Sequence, residues 1–360
     1  MKEDKPVIIN IDTAISRNAN ILLDFELNPV IEESKYSMIK QDTTLNALAR
    51  VSNKTGIEKR DFTTTGVIRT QNGSTDLNVI IEEYANVSLK PSTSKLLRII
   101  TMEFTKDENN KCIQIPLKEY MELTGLKDVK EARKKVKKDL EALYNISCEA
   151  HIENRKGDKD YIKFRICDTQ GIKNGIIIMN LSDSIAMHLR KCELMPYPKE
   201  LLKIESNSNK NPYAFYLGDK ITELKKYNQY DKAKKGVKES FNVSVRTLLD
   251  VCLRNGLPSY ETVQTTDRRV DERIIKPFER DLEACSNNIF EWEYCNEKGT
   301  PLTEEQLSPE TKSGKYKALT YKEWIDLYIK ITFFKDYPTA PINVKKVKAS
   351  EKKAKKKDSK

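Results

Sequence analysis

The order of predicted elements between residues 92 and 167 constrains the fold of this 360-residue chain more than any other feature. Apolar residues recur at helical spacing in three stretches, and three further stretches are rich in strand-forming residues. The sequence predicts, in order, a helix capped by Ser92–Ser94, a strand at 112–115, a helix at 117–124 ended by Gly125, a helix at 128–144 and strands at 147–153 and 161–167.

The order helix, strand, helix, helix, strand, strand is that of a winged helix–turn–helix, in which the third helix contacts DNA and the last two strands form a wing. The same order recurs after residue 210, with an unrelated sequence. The second series consists of helices at 211–226, 243–253 and 267–285, a strand at 289–294, a long loop at 296–322 and a mixed segment at 325–334. We therefore predict an α+β fold that contains two copies of one architecture.

The remaining parts of the chain differ in composition from these two units. Pro196, Pro198 and the Ser/Asn run at 206–209 are typical of a linker, whereas a helical pattern at 36–53 and an Asn72-Gly73 hairpin precede the first unit. The predicted organisation is an N-terminal segment of unclear role at 1–90, a first winged-helix domain at 91–190, a linker at 191–210, a second winged-helix domain at 211–336 and a disordered basic tail at 337–360.

The charge of the chain is concentrated at its C-terminus. The formal net charge is +10, and the stretch from Lys345 to Lys360 contributes +7 of it, with nine lysines against Glu351 and Asp358. The rest of the chain carries 55 basic and 52 acidic side chains and is nearly neutral. A surface that binds nucleic acid in the body of the protein must therefore be a local patch.

The predicted helix at 267–285 can provide such a patch. At 3.6 residues per turn, its apolar side chains fall on one side and its basic side chains on the other. The apolar set is Val270, Ile274, Phe278 and Leu282, and the opposite basic set is Arg269, Arg273, Lys276 and Arg280. Arg268, next to this set in the sequence, is a further candidate DNA contact. A solvated amphipathic helix is the alternative interpretation. Pro277 indicates either a kink or the start of a second helix at that point.

The helix at 128–144 carries lysines instead of arginines on the side away from its apolar stripe. Its candidate DNA contacts are Lys127, Lys130, Lys134, Lys137 and Lys138. Lysine is a compact charge suited to phosphates, whereas arginine can form two hydrogen bonds with guanine. We therefore expect the first unit to hold the DNA backbone and the second to contribute more of the sequence discrimination. Lys156 and Lys159, at the tip of the predicted wing, are candidate phosphate contacts.

Signatures of catalysis, metal binding and membrane insertion are missing from the sequence. The seven cysteines form no CxxC pair, and there are only two histidines, so neither a zinc site nor a cofactor is predicted. No His-x-His motif and no GxxxxGK[ST] phosphate loop occur. The apolar runs are too short to cross a bilayer, and the N-terminus does not resemble a signal peptide. These features predict a cytoplasmic protein that is not an enzyme, although an acidic two-metal nuclease stays open.

The chain resembles the plasmid replication initiators that are built from two winged-helix domains and bind repeated origin sites. The resemblance depends on Arg268-Arg269-Val270, Ile274, Pro277, Leu282 and the turn into a strand at 287–291, together with the run at 113–143. It implies that the second winged helix reads the origin repeat, while the first contacts DNA and mediates dimerisation.

These observations together predict a sequence-specific protein that binds double-stranded DNA at repeated origin sites and initiates replication of a plasmid or mobile element. Further partners implied by the resemblance are a host helicase or initiator and a second copy of the chain. Two alternatives stay open. One is a transcriptional regulator on the same scaffold, and the other is a metal-dependent nuclease or strand-transfer enzyme.

Overall fold

The computed structural model describes most of the chain from residue 35 to residue 338. The described residues are 35–41, 65–72, 75–82, 90–153, 159–207, 210–228, 230–231, 236–266, 269–286, 289–307, 319–334 and 336–338. Arg268, Lys156, the segment before residue 35 and the basic tail from residue 339 lie outside these residues.

Helices and strands alternate throughout, which confirms an α+β fold. The first part contains β1 (Tyr36–Gln41), β2 (Thr65–Asn72), β3 (Thr75–Glu82), α1 (Pro91–Lys106), β4 (Cys112–Pro116), α2 (Leu117–Thr124), α3 (Val129–Tyr144), β5 (Ile146–Glu153), β6 (Lys159–Arg165), β7 (Cys167–Lys173) and β8 (Ile176–Leu181). A connecting part contains α4 (Asp183–Lys191), β9 (Glu193–Pro198) and α5 (Glu200–Lys203).

The second part has the same arrangement of its main elements. It contains α6 (Ala214–Asn228), β10 (Tyr230–Asp231), β11 (Gly236–Val237), β12 (Ser240–Ser244), α7 (Val245–Arg254), α8 (Tyr260–Thr266), a π-helical turn (Asp271–Ile275) that continues into α9 (Lys276–Ser286), β13 (Phe290–Cys295), α10 (Glu304–Leu307), α11 (Tyr321–Ile325) and β14 (Tyr328–Phe333). We call the parts around α1–α3 and α6–α9 the first and second winged-helix units.

The two units have three-stranded sheets of identical topology. The strand order is β4-β8-β7 in the first unit and β12-β14-β13 in the second. The pairing is also equivalent residue by residue, because Ile115 pairs with Ile177 in the first sheet and Val243 pairs with Ile329 in the second. The prediction that one architecture occurs twice is therefore confirmed at the level of strand register.

The wing of the first unit is not the hairpin that the sequence analysis assigned. The strands predicted at 147–153 and 161–167 exist as β5 and β6, but they belong to a four-stranded sheet of order β2-β3-β5-β6. The strands that complete the winged-helix sheet are β7 and β8, which follow this inserted hairpin. The assignment of the β5–β6 hairpin as the wing is therefore wrong, because an extra hairpin separates the third helix from the wing.

Two further segments differ from their predictions. Residues Tyr36–Gln41, which lie in a predicted helix, form β1 because they pair with β9 along its whole length. The predicted linker at 191–210 connects the two units, yet it contains β9 and α5, and Tyr197, Leu201 and Leu202 are buried within it. Burial of these apolar side chains against both units explains why the segment is ordered despite its prolines.

The first helices of the two units, α1 and α6, also correspond to each other. The hydroxyl of Thr101 donates to the carbonyl of Leu97 at 2.8 Å in α1, and that of Thr222 donates to the carbonyl of Gly218 at 2.8 Å in α6. Gly218 lies where α6 passes close to its neighbours, since a Cβ atom there would clash with Leu201 Cδ2. This glycine therefore lowers helix propensity but allows close packing.

Pro277 was expected to mark either a kink or the start of a second helix. In the structure a π-helical turn at Asp271–Ile275 leads directly into α9, which begins at Lys276. The backbone N–H of Lys276 donates to the carbonyl of Asp271, five residues earlier, so the chain is wound more widely just before the proline. The helix then continues through Pro277. Because proline has no backbone N–H, it donates no hydrogen bond to the turn before it. Such π-bulges are a recognised way to accommodate an irregular residue in a helix, and they occur frequently at functional sites.

Candidate nucleic-acid interface

The third helix of the first unit exposes its lysines on the side away from the core. The stripe of Ala132, Val136, Leu140 and Leu143 is buried, as predicted, whereas Val129 at the start of the helix is 52% exposed. All five candidate contacts are exposed: Lys127, Lys130, Lys134, Lys137 and Lys138. Arg133 is exposed on the same helix and was missing from the predicted set, although its position in the helical repeat was available from the sequence.

A buried carboxylate fixes α3 to the start of α1. Asp139 accepts hydrogen bonds from the hydroxyls of Ser92 at 2.9 Å and Thr93 at 2.6 Å. Burial raises the pKa of Asp139 to about 6, and the two hydroxyl donors partly oppose that rise. The residues predicted to cap α1 thus lie inside its first turn. Ser92 and Thr93 bind α3, and the hydroxyl of Thr93 also accepts the backbone N–H of the N-cap residue Lys90 at 3.4 Å.

The wing of the first unit ends in a tight turn formed by Asn174 and Gly175. Both residues have positive φ, 52° and 75°, which is the geometry of a two-residue hairpin turn that Asn-Gly favours. Lys173 is exposed at the start of this turn. Behind it, a cleft between α3 and β7 is lined by residues that include Arg133, Lys137 and Gln170.

The predicted wing lysines therefore lie elsewhere. Lys159 is the first residue of β6, at the end of the inserted hairpin, and Lys156 lies outside the described residues. The Asn-Gly pair at 174–175 is the signal in the sequence that could have identified the wing. Lys173 takes the place at the wing tip that the sequence analysis gave to Lys156 and Lys159.

The basic side chains of the second unit are exposed but have acidic neighbours. Arg269, Arg273, Lys276 and Arg280 are all exposed, and the predicted apolar set of Ile274, Phe278 and Leu282 is fully buried, with Val270 packed partly against the core. An ion pair joins Arg269 to Glu272 at 3.7 Å, and another joins Lys276 to Asp271 at 2.8 Å. The hydrogen bond with Asp271 raises the pKa of Lys276.

Arg280 is held by a buried carboxylate that also anchors α6. Asp281 is fully buried and accepts the backbone N–H of Tyr213 at 2.6 Å, immediately before α6 begins. The same carboxylate pairs with Arg280 Nη2 at 2.8 Å. Burial raises the pKa of Asp281, while the donors from Tyr213 and Arg280 oppose the rise.

Asp139 and Asp281 occupy equivalent places in the two units. Each lies on the third helix and contacts the N-terminal part of the first helix. Each is also followed by the same three residues, because Asp139-Leu140-Glu141-Ala142 matches Asp281-Leu282-Glu283-Ala284. The expectation that the units share architecture but no sequence therefore needs one correction, since this short motif is repeated. In this register Lys134 corresponds to Lys276, and Lys138 corresponds to Arg280.

Aromatic residues of β13 and α11 orient α9. The hydroxyl of Tyr294 donates to Glu279 Oε1 at 2.8 Å, and the indole N–H of Trp324 donates to the Tyr294 oxygen at 2.8 Å. Trp324 is a core residue. Trp292 is only partly buried, and its indole N–H donates to Glu283 Oε2 at 2.9 Å. These contacts hold one side of α9 and leave its basic side toward solvent.

The described part of the second unit's wing exposes more acidic than basic side chains. Among the described residues from β13 to the start of β14, seven acidic side chains are exposed against two basic ones. The acidic set is Glu291, Glu293, Glu297, Glu304, Glu305, Glu323 and Asp326, and the basic set is Lys298 and Lys322. A surface of this charge repels DNA phosphates, in contrast to the wing that carries Lys173.

The described residues contain neither a metal-binding cluster nor a membrane-spanning helix. No group of three His, Cys, Asp or Glu side chains in the described ranges is placed to hold a metal ion. No described helix has the length and apolar character needed to cross a membrane.

The first unit is similar to a known protein family. Residues 78–193 match the family model described as Initiator Replication protein, WH1. The first unit is therefore similar to the winged-helix domain of replication initiators. The match starts within β3 and ends at the first residue of β9, so the matched segment includes the inserted hairpin β5–β6 as well as the three-helix core.

The fold of the chain has relatives of low sequence identity among solved structures. Two crystal structures of domains 2 and 3 of RctB are similar to the chain, with sequence identities of 11% and 13% and TM-scores of 0.44 and 0.42. The alignments cover 80% and 81% of this chain and 98% and 97% of the RctB chains. No curated protein matches the sequence.

Proposed function

We propose that the chain initiates replication of a plasmid or related mobile element by binding repeated sites in double-stranded origin DNA in the cytoplasm. One observation carries this proposal. The unit of replication-initiator type is followed by a second unit with the same strand order and register, and both expose cations on the third helix. A protein with two such helices can occupy two successive major grooves on one side of the duplex.

The two helices take different parts in binding. The lysines of α3, joined by Arg133 and by Lys173 on the wing, form a surface of point charges that suits phosphate oxygens. The arginines that precede α9 can form paired hydrogen bonds with guanine O6 and N7. The carboxylates beside Arg269, Lys276 and Arg280 lower the attraction to phosphate, so contacts to base edges contribute relatively more in this unit.

Footprinting tests the proposal directly. The full chain is incubated with DNA from the region that flanks its gene, and protection from nuclease is mapped at several salt concentrations. We expect repeated protected sites, with an affinity that falls as salt rises because Lys and Arg displace counterions. Two double variants, K134A/K137A and R269A/R273A, are expected to weaken binding. A matched control, K106A/K203A, removes two exposed lysines of α1 and α5 and is expected to bind normally.

The same preparation separates the proposal from its alternatives. Protection of repeated sites, followed by unwinding of neighbouring AT-rich DNA, supports initiation, whereas protection at a promoter with no effect on origin DNA supports a transcriptional regulator. Nicking of a supercoiled origin plasmid with Mg²⁺ would instead indicate a nuclease or strand-transfer enzyme. Sedimentation with and without DNA tests the proposed homodimer, and co-precipitation with the host helicase tests that partner.

A further inference from the structure

A buried ion pair connects the first helices of the two units. Arg98 of α1 and Asp219 of α6 have side chains that are 1% and 0% exposed. Arg98 Nε donates to Oδ1 at 2.8 Å and Arg98 Nη2 donates to Oδ2 at 2.7 Å, so the guanidinium and the carboxylate are joined by two parallel hydrogen bonds. The hydroxyl of Tyr197, on β9 between the units, donates to Oδ1 at 3.1 Å, and the guanidinium carbon lies 5.7 Å from the centre of its ring.

The pair is a directional contact beside apolar residues of both units, and Glu223 of α6 is a further buried charge that interacts with Arg98. Residues from both units, including Leu96, Ile99, Phe215 and Leu217, belong to the same buried cluster. Apolar side chains pack well in several relative positions, whereas two parallel hydrogen bonds constrain distance and angle together. Buried ion pairs of this kind contribute little to stability over an apolar replacement, and their best-attested role is to fix register.

Each end of the pair is connected to a DNA-facing helix through another buried carboxylate. Asp139 of α3 holds the first turn of α1, and Asp281 of α9 holds the backbone just before α6. A continuous series of hydrogen-bonded contacts thus runs from α3 to α1, across Arg98 and Asp219 to α6, and on to α9. A change in the angle between α1 and α6 changes the angle between α3 and α9.

We propose that Arg98 and Asp219, supported by Tyr197, are positioning residues that set the relative orientation of the two DNA-facing helices. The orientation decides which separation of two half-sites the chain accepts. This inference rests on the proposed function for its consequence on DNA, but the orientation itself can be measured without DNA.

The decisive experiment measures the distance between α3 and α9 by pulsed electron paramagnetic resonance. Nitroxides are attached to p-acetylphenylalanine at two exposed positions, Lys137 and Glu272, in the full chain, so that the native cysteines stay unmodified. The double variant R98M/D219L replaces the ion pair with apolar side chains. The control E103L/K106M removes the ion pair of two other α1 residues, which are more exposed.

We expect one narrow distance distribution for the original chain and for the control, and a broadened or shifted one for R98M/D219L with its cooperative unfolding retained. An unchanged distribution in a folded R98M/D219L would overturn the inference. If this variant does not fold, D219N keeps the shape of the side chain and removes its charge, and the same two outcomes decide.

A second readout uses DNA. Five base pairs, about half a helical turn, are inserted between the two halves of a footprinted site. The original chain is expected to lose about tenfold or more in affinity on insertion, and R98M/D219L to lose much less. Equal losses in both proteins count against the inference. If the original chain binds no DNA, the proposed function fails while the distance measurement still judges the positioning role.

Discussion

The two winged-helix units use one backbone plan but present different chemistry to the outside. The first unit carries lysines on an uninterrupted α3, and its wing is a two-residue turn next to Lys173. The second carries arginines beside a π-helical turn. Its wing is long and contains two short helices, and the described part of it exposes more acidic than basic side chains. The shared plan therefore fixes where the third helix lies, while the charges that the helix exposes differ between the two units.

The two units also differ in the balance of charge around the third helix. In the first unit α3 exposes several lysines and the wing tip carries Lys173, a surface that we propose holds the phosphate backbone without distinguishing bases. In the second unit the exposed acids in the described part of the wing and the carboxylates beside the arginines oppose unspecific attraction. A helix that gains little from phosphates depends on base contacts for its affinity, which is the condition for sequence discrimination.

The largest expected effects come from equivalent core positions in the two third helices. Leu140 and Leu282 are both fully buried in the repeated motif. Truncation of either to alanine is expected to lower the free energy of unfolding by about 2–5 kcal/mol, because a cavity remains. Since the buried residues of both units form one cluster, each variant should shift one common denaturation curve, measured by circular dichroism in urea. Two separate transitions would show that the units are independent, and L253A, at a half-buried position, is a milder control.

The next largest effect is a difference between Asp139 and Asp281 in how the free energy of unfolding depends on pH. The pKa of Asp139 is about 6 in the folded protein and 3.8 in its ordinary state, so the folded state binds the proton more tightly. Stability from this group therefore rises as the pH falls from about 6 toward 4, by up to about 3 kcal/mol. The variant D139N keeps one acceptor and should lose this dependence.

The comparison is with D281N in the second unit. The pKa of Asp281 is also raised by burial, but Arg280 and the N–H of Tyr213 oppose the rise. We therefore expect a smaller difference between D281N and the original chain over the same pH range. Urea denaturation at pH 7, 6, 5 and 4 measures both, and equal pH dependence in the two variants would contradict the assigned difference.

The contrast between lysine and arginine is tested at Lys134 and Arg273. The substitution R273A is expected to lower affinity for the specific site by about 1–3 kcal/mol, with less effect on random DNA, because a base contact is lost. The substitution K134A is expected to weaken both kinds of DNA similarly and to reduce the salt slope by about one. Titrations of both DNAs at several salt concentrations measure these effects. Equal weakening by R273A on random DNA would show that this arginine also contacts phosphate.

The local spacing of apolar and capping residues was enough to predict α2 and α3 from the sequence. The bounds of α2 and α3 follow from apolar spacing, Gly125 and Asp128, and the structure has Asp128 accepting the backbone N–H of Glu131 as the N-cap. The exposed lysines of α3 follow from the same spacing. Such features depend on residues within one or two turns of each other, which the sequence shows directly.

Strand pairing and buried polar contacts could not be predicted in this way. Sequence patterns predicted β5 and β6 as strands but not β7 and β8, and only long-range packing decides that β8, and not β6, pairs with β4. Pairing with β9 likewise overrides the helical pattern of β1. Asp139 and Asp281 look like ordinary surface acids on a basic helix, and their roles become visible only when the first helices are in place.

The smallest effect tests the correction to the first wing. If Lys173 contacts a phosphate from the Asn174-Gly175 turn, K173A should lower affinity only a few-fold and reduce the salt slope by about one. The substitutions K156A and K159A remove the same charge from the inserted hairpin and should leave the slope unchanged, because that hairpin belongs to the four-stranded sheet. In the second unit, E304Q/E305Q should raise affinity for random DNA by removing two exposed acids from the wing. A loss in K156A equal to that in K173A would mean that both hairpins reach the duplex, and the basic surface of the first unit would then extend from the wing to the four-stranded sheet.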